Sequence, residues 1–123
     1  MVHFTCSAFD DLDVRTLYDV LRLRQEVFVV EQECAYLDVD GLDPHAWHVL
    51  GLDGDDLVAT ARILPPGAVY DDAVAIGRVV TRADRRGRGI ARALMDVALE
   101  CAEELFGPVP VQLSAQTYLI DFY

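Results

Sequence analysis

The sequence predicts a mixed α/β fold, and two observations carry this prediction. First, strand-like apolar stretches alternate with helix-like stretches, in the order strand, helix, long loop, three strands, helix, strand, helix. Second, the 123 residues contain no internal repeat and no linker, which fits one domain over residues 1–123. Because 53% of the residues are hydrophobic, the chain can bury a core.

The first half of the chain supplies a strand, a helix and a long polar loop. Residues 3–8 alternate weakly between apolar and polar side chains and predict the strand. Asp13 is suited to cap a helix that begins at Val14. Residues 31–46 hold Gly41, Pro44 and several acids, and predict a loop in which a short helical turn fits. The prediction of a helix there rests on apolar residues near helical spacing, which are Val14, Leu17, Tyr18, Leu21 and Phe28.

The second half begins with a hairpin signal. Residues 47–52 and 57–64 are apolar and flank an Asp-Gly turn, which favours two paired strands. A strand over 74–81 follows the Pro-Pro-Gly break. A helix from about Gly89 to Leu105 would end at Gly107 and Pro108. Residues 109–115 predict a last strand and residues 116–123 a last helix.

The charge of the chain is strongly uneven. The net charge is -11, every basic residue is arginine, and six of the ten arginines lie between residues 77 and 94. Such an acidic surface disfavours nucleic acid as a partner and attracts cations. The RNA-binding interpretation is weak for a second reason, because no aromatic residue interleaves the basic stretch.

Neither a membrane segment nor a metal site is indicated. No run of about 18 apolar residues is present, and the N-terminus lacks the pattern of a signal peptide, so we expect a cytoplasmic protein without a membrane partner. Cys6, Cys34 and Cys101 have no C-x-x-C spacing and fit reduced thiols. The segment "DVDGLD" departs from a calcium loop in its glycine position, so we expect a solvated acidic loop and no metal.

The stretch "IGRVVTRADRRGRGIARAL" combines a strand, a short arginine-rich loop and a helix that begins near Gly87 and Gly89. N–H groups at a helix N-terminus attract anions, and glycines allow close approach to the backbone. Arginines at the rim can add charge-assisted hydrogen bonds, so a pyrophosphate fits this geometry. The stretch matches neither common nucleotide-binding loop, and an arginine-rich solvated turn remains the alternative.

Arg86 to Ala91 resemble the R/Q-x-x-G-x-G/A signature of the GNAT superfamily of acetyl-CoA-dependent N-acyltransferases. Further segments are similar, in order, to the ElaA-like branch: "LRLRQEVFVVEQECAY", "DGLD", "HVLG", "ATARIL" and "AQTYLIDFY". The resemblance implies a mainly antiparallel sheet with a splayed central strand pair and flanking helices. It also implies transfer of an acetyl group from acetyl-CoA to a primary amine, by direct attack in a ternary complex.

The resemblance also implies roles for individual residues. The strand residues Val79, Val80 and Thr81 would bind the pantetheine arm. The pyrophosphate would lie on the backbone amides of Arg86, Gly87, Arg88, Gly89, Ile90 and Ala91. Gln116 stands where many relatives place an Asn that contacts the cofactor, and a helix-cap glutamine is the alternative. Tyr123 matches the tyrosine that donates to the coenzyme A sulfur, and an aromatic residue that packs a terminal helix is the alternative.

The acceptor and the general base are less defined. Glu31, Glu33, Asp40 and His48 remain open as bases, acting directly or through water. In the family arrangement the acidic loop 31–43 lies beside the acceptor channel, so we expect a cationic small-molecule or peptide amine. Relatives continue past the "FY" element with a last strand whereas this chain ends at Tyr123, which keeps open a coenzyme A-binding module without turnover. Whether the protein forms a homodimer also stays open.

Overall fold

The computed structural model of the protein describes residues 1–113, which form a five-stranded sheet with one long helix on each face. The strands are β1 (Val2–Ala8), β2 (Trp47–Asp53), β3 (Asp56–Leu64), β4 (Val74–Thr81) and β5 (Val111–Leu113). The helices are α1 (Val14–Arg24) and α2 (Ile90–Phe106). Strands β1 to β4 pair antiparallel in chain order, and β5 joins β4 in parallel. The predicted mixed, mainly antiparallel fold is therefore confirmed.

Helix α1 begins as predicted, because the Asp13 side chain accepts a hydrogen bond from the Thr16 N–H at 2.6 Å. This bond lowers the pKa of the Asp13 carboxyl. The helix continues into a π-helical segment, Gln25–Glu31. A single turn with this wider hydrogen-bond pattern often occurs near a functional site.

The buried face of α1 is not the one that the spacing of Val14, Leu17, Tyr18 and Leu21 marks. Val14 and Tyr18 are 86% and 67% exposed, whereas Val20, Leu23 and Val27 are buried. The inward face also carries Arg24, which is 1% exposed and forms ion pairs with Asp38 and Asp43 of the loop between α1 and β2. The buried face therefore combines apolar residues with one charged residue, Arg24.

Strand β4 contains a β-bulge opposite Ala61 of β3. The register runs from Thr60 paired with Val80 to Arg62 paired with Gly77, so β4 has one extra residue there. In a regular strand, residues three positions apart face opposite sides of the sheet. Val79 nevertheless packs in the same cluster as Val74 and Ile76, against α2. The bulge therefore reverses which side chains of β4 face each helix.

Strand β4 is paired on both sides only at its start. Strand β5 pairs with Val74, Ala75 and Ile76 of β4. Within the part of the chain that the structure describes, residues 77–81 have β3 on one side and no strand on the other. Among the described residues, this stretch of β4 therefore has a strand neighbour on the β3 side only, and it lies next to the start of α2.

Helix α2 ends at Phe106, followed by Gly107 with φ of 77°, close to the predicted end. Its buried residues Leu94, Met95 and Ala98 cover one face of the sheet. On the other face α1 covers Leu50, Leu57 and Val80 with its own apolar residues. Side chains of β4 therefore pack against α2 on one face of the sheet and against α1 on the other. The N-terminus of α2 lies beside the end of β4.

Candidate active site

A cavity of about 290 Å³ lies where the end of β4, the arginine-glycine loop and the start of α2 meet. Eight of the ten predicted cofactor-binding residues line it, together with Arg85 and Arg92. The predicted residues in this wall are Val79, Val80, Thr81, Arg86, Gly87, Gly89, Ile90 and Ala91. Arg88 is exposed in the same loop, and Gln116 lies outside the described residues.

The start of α2 gives this cavity its anion-binding character. Gly89, the residue before the helix, has φ of 78° and ψ of 5°, and no side chain caps the helix. The first intrahelical bond of the N-terminus runs from the Ala93 N–H to the Gly89 carbonyl, so the N–H groups of Ile90 and Ala91 have no helical acceptor. Gly87 also has a left-handed backbone, with φ of 80°. A Cβ atom at Gly87 or Gly89 would meet open space, so the glycines leave room for a ligand.

Four of the six arginines between residues 77 and 94 form ion pairs with carboxylates of the protein. Their charges are therefore less available to a pyrophosphate than the sequence alone indicates. Arg82 pairs with Asp84, and Arg85 Nη1 lies 2.8 Å from Asp53 Oδ2. Arg86 binds Glu31 through both terminal nitrogens and donates to the Thr81 carbonyl oxygen at 3.2 Å. The pairs of Arg85 and Arg86 hold the loop against the β2–β3 hairpin and the π-helical segment that follows α1. A phosphate at the cavity would therefore depend mainly on backbone N–H groups.

A second cavity, of about 210 Å³, adjoins the bulge. Gly77 and Arg78 line it, followed along β4 by the first residues of the other cavity, Val79 and Val80. The other walls are apolar side chains of Leu42, Leu64 and Val69, the ring of Tyr70, and the charged groups of Asp40 and Arg62. Along β4 the lining therefore changes from one cavity to the other at the bulge, between Arg78 and Val79.

Three arginines and three aspartates form a largely buried network, part of which lines this second cavity. Arg24 Nε donates to Asp38 Oδ2 at 2.9 Å, and its Nη1 donates to Asp43 Oδ1 at 2.7 Å. Arg62 Nη1 lies 2.9 Å from Asp40 Oδ1 and 3.1 Å from Asp43 Oδ1. The third arginine, Arg78, pairs with Asp38 and Asp40.

This network overturns the expectation of a solvated acidic loop. Asp38 and Asp43 are 3% and 4% exposed. Burial opposes ionisation of Asp43, but the hydrogen bonds and charges of Arg24 and Arg62 outweigh it and lower the pKa. The sequence pattern missed the network because the arginines lie in other elements, far from the loop in sequence.

The network and its neighbours also limit the choice of general base. Burial opposes ionisation of Asp40, yet hydrogen bonds from Arg62 and the Leu42 N–H lower its pKa to about 2. His48 is buried, and burial lowers its pKa. Glu31 is bound to Arg86. The fourth candidate base, Glu33, is exposed and lines neither cavity. Tyr123 lies outside the described residues.

Among residues 1–113, no three His, Cys, Asp or Glu side chains are arranged to hold a metal ion. Over the same residues no helix is long and apolar enough to cross a membrane.

Sequence reasoning missed Arg78 and the bulge, although a signal was present. The apolar residues of "VAIGRVVT" that face α2 are Val74, Ile76 and Val79, and the last interval is three residues instead of two. An odd interval in a buried strand indicates an inserted residue, here next to Gly77. A second signal was the presence of Arg24 and Arg62 inside apolar segments, since buried arginines require carboxylate partners.

Comparison with known proteins places the chain in a family. Residues 15–123 match the acetyltransferase (GNAT) family. Protein ElaA of Escherichia coli strain K12 is 44% identical over 125 residues, which covers 100% of this chain and 81% of ElaA. The crystal structure of Escherichia coli ElaA superposes with a TM-score of 0.92 at 40% identity, covering 100% of this chain and 84% of that chain.

A crystal structure described as an acyl-CoA N-acyltransferase from Pseudomonas aeruginosa superposes with a TM-score of 0.91 at 42% identity, covering 100% of this chain and 85% of that one. The bulged β4, the gap beside it and the glycine-rich start of α2 thus occur in a fold shared with an acyl-CoA N-acyltransferase. The chain belongs to the GNAT acetyltransferase family.

Proposed function

We propose that the protein transfers the acetyl group of acetyl-CoA to a primary amine, by direct attack of the amine on the thioester in a ternary complex. The observation that carries this proposal is the convergence, in one cavity, of the N-terminus of α2 with the part of β4 that extends past its pairing with β5. A cosubstrate with an amide-containing arm and a pyrophosphate matches both features. Family membership supports the same chemistry.

The two parts of coenzyme A would use different backbone groups. The pantetheine arm carries amides and can add to the edge of β4 at Val79, Val80 and Thr81 as an extra strand would. The pyrophosphate would lie on the amides of Arg86 to Ala91, where the dipole of α2 favours negative charge. Gly87 and Gly89 leave the space that phosphate oxygens need. The thioester would then lie near the bulge.

The acceptor would reach the thioester through the cavity lined by Asp40, Arg62 and Tyr70, because this cavity adjoins the bulge. We propose a cationic amine, supported by the net charge of -11, which attracts cations during encounter. The acidic loop itself supports this preference little, since Asp38, Asp40 and Asp43 are neutralised by three arginines. The preference should therefore appear in the association rate and disappear at high salt.

The amine must lose a proton before it attacks. An alkylammonium with a pKa of about 10.4 is short of its neutral form by about 4.6 kcal/mol at pH 7. Asp40 is too weak a base for this step, and its carboxylate can only accept a hydrogen bond from the ammonium. We propose that the proton leaves through water, with a backbone N–H of the bulged strand stabilising the thioester oxygen.

The departing thiolate needs a proton donor, and we propose Tyr123 for this role, with Gln116 as a cofactor contact. Tyr123→Phe keeps the ring and removes only the hydroxyl. It should lower kcat about tenfold to a hundredfold, as part of a general-acid contribution, and leave the dissociation constant of acetyl-CoA unchanged. An equal kcat for the two proteins at all pH values would remove Tyr123 from the mechanism.

Two assays test the proposal against its alternative, a coenzyme A-binding module without turnover. Calorimetry with acetyl-CoA measures binding, and acetyl-pantetheine, which lacks the pyrophosphate, is the matched control ligand that should bind much more weakly. A thiol-release assay over diamines, lysine-like amines and amino acids then measures turnover. Turnover with a diamine supports the proposal, silent binding supports the alternative, and absence of binding rejects both.

A further inference from the structure

Arg78 combines an unusual backbone with an unusual side-chain environment. Its φ is 50°, in the left-handed region that few residues other than glycine adopt. It lies within the bulge of β4, between Gly77 and the predicted pantetheine-binding residue Val79. A non-glycine residue in this conformation at a cavity indicates that the surrounding structure holds it there.

The side chain of Arg78 shows what holds it. Its Nε lies 2.8 Å from Asp38 Oδ1, at an angle too oblique for a hydrogen bond, so this contact is electrostatic. Its Nη2 donates to the Asp38 carbonyl oxygen at 3.2 Å and to Asp40 Oδ2 at 3.3 Å. The guanidinium also lies over the ring of Tyr36, 5.5 Å from its centre. All of these partners belong to one loop, residues 36–40.

The loop is itself fixed from the opposite side. Arg24 of α1 binds Asp38 by both its carboxylate and its carbonyl oxygen. The Tyr36 hydroxyl donates to Asp38 Oδ1 at 3.0 Å. Helix α1, the loop and the bulge are therefore connected by Arg24, Asp38 and Arg78 in a buried chain of ion pairs.

We propose that Arg78 is a positioning residue for acetyl transfer: its ion pairs with Asp38 and Asp40 hold the bulge of β4 in the conformation that presents the thioester to the acceptor. This inference rests on the proposed function. The pyrophosphate-binding loop has its own supports, since Arg86 binds Glu31 and Arg85 binds Asp53. Loss of Arg78 should therefore disturb the reacting end of acetyl-CoA and leave its pyrophosphate end in place.

Arg78→Gly is the most informative variant, because glycine adopts a positive φ without strain and removes only the tether. Arg78→Lys keeps a positive charge that can pair with one aspartate. Asp40→Asn removes one carboxylate at a partly exposed position and provides a milder variant if Arg78→Gly does not fold. Arg82→Gln is the matched control, an arginine just after β4 that pairs with Asp84 and lines neither of the two cavities.

We expect Arg78→Gly to lower kcat about tenfold to a hundredfold, the scale of a misplacement of about 1 Å. Asp40→Asn should give a smaller loss, and Arg78→Lys should recover part of it. The dissociation constant of acetyl-CoA should stay within about twofold of the parent value, a change worth under half a kcal/mol. Hydrogen exchange of backbone amides in residues 77–80 should speed up in Arg78→Gly and not in Arg82→Gln.

Three results would overturn the inference. One is an unchanged kcat in Arg78→Gly, which would show that the bulge keeps its shape without the tether. Another is a raised KM for the amine at constant kcat, which would make Arg78 a contact of the acceptor. The third is a dissociation constant of acetyl-CoA that rises by the same factor by which kcat falls. If the parent protein shows no turnover with any amine, the proposed function fails first and this inference with it.

Discussion

At the residue scale, four of the six arginines between positions 77 and 94 form ion pairs within the protein. Arg78, Arg82, Arg85 and Arg86 each contact a carboxylate, and these contacts fix the bulge and the loop. A polyanion at the start of α2 would then meet backbone N–H groups, while Arg85 and Arg86 in the cavity wall are already paired with carboxylates. The glycines, more than the arginines, should decide whether a pyrophosphate fits.

Gly89 offers a clean test of this point, because Asn and Asp both tolerate its positive φ and have nearly the same shape. Gly89→Asp should weaken acetyl-CoA binding about tenfold to a hundredfold relative to Gly89→Asn. The reason is repulsion between like charges, which is about 1 to 4 kcal/mol at 4 Å between water and a protein surface. Calorimetry measures both constants. Equal affinities would place the pyrophosphate elsewhere.

At the element scale, the acidic loop is a structural part of the site. Residues 38–43 supply the carboxylates that neutralise Arg24 of α1, Arg62 of β3 and Arg78 of β4. Burying charges is costly, and it becomes tolerable only when every charge has a partner. The loop therefore links three elements whose positions shape the second cavity.

Helix α1 allows a matched pair of substitutions for this claim. Arg24→Met should lower the free energy of unfolding by about 3–5 kcal/mol, because it leaves Asp38 and Asp43 buried with fewer partners. Arg22→Met, two residues earlier, removes only an exposed pair with Glu26 and should cost less than about 1 kcal/mol. Urea unfolding measures both values. Similar losses in the two variants would mean that the network contributes little to stability.

At the scale of the whole molecule, part of the fold and site could be predicted from the sequence. The strand 74–81, the hairpin and the cap at Asp13 follow from local patterns, and the structure has all three. The cavity residues from Val79 to Ala91 come together because they are close in sequence. The network joining Arg24, Asp38 and Arg78 could not be predicted in this way, since its members are far apart and each is separately compatible with a solvated surface.

Stability should depend on pH through His48. Its Nε2 bonds to the Asp43 carbonyl oxygen, and burial lowers its pKa, so the folded protein resists protonation. The unfolded chain takes up this proton near pH 6.5. The contribution of neutral His48 is therefore fully present above about pH 6.5 and declines as the pH falls towards the lowered folded pKa.

His48→Gln keeps a side-chain N–H donor and removes the ionisable imidazole. The free energy of unfolding of this variant should therefore fall less steeply between about pH 6.5 and pH 5 than that of the parent protein. Urea unfolding of the two proteins at several pH values measures these slopes. The same slope in both proteins would contradict the assignment.

We have proposed that coenzyme A lies along the edge of β4 and on the start of α2. Hydrogen exchange of backbone amides with and without acetyl-CoA tests it most directly, because both contacts use backbone N–H groups. We expect slower exchange in residues 79–81 and 86–91 when acetyl-CoA is bound, with no change in the β2–β3 turn at residues 53–56. Protection confined to other segments, or unchanged exchange in residues 86–91 at saturating acetyl-CoA, would contradict it.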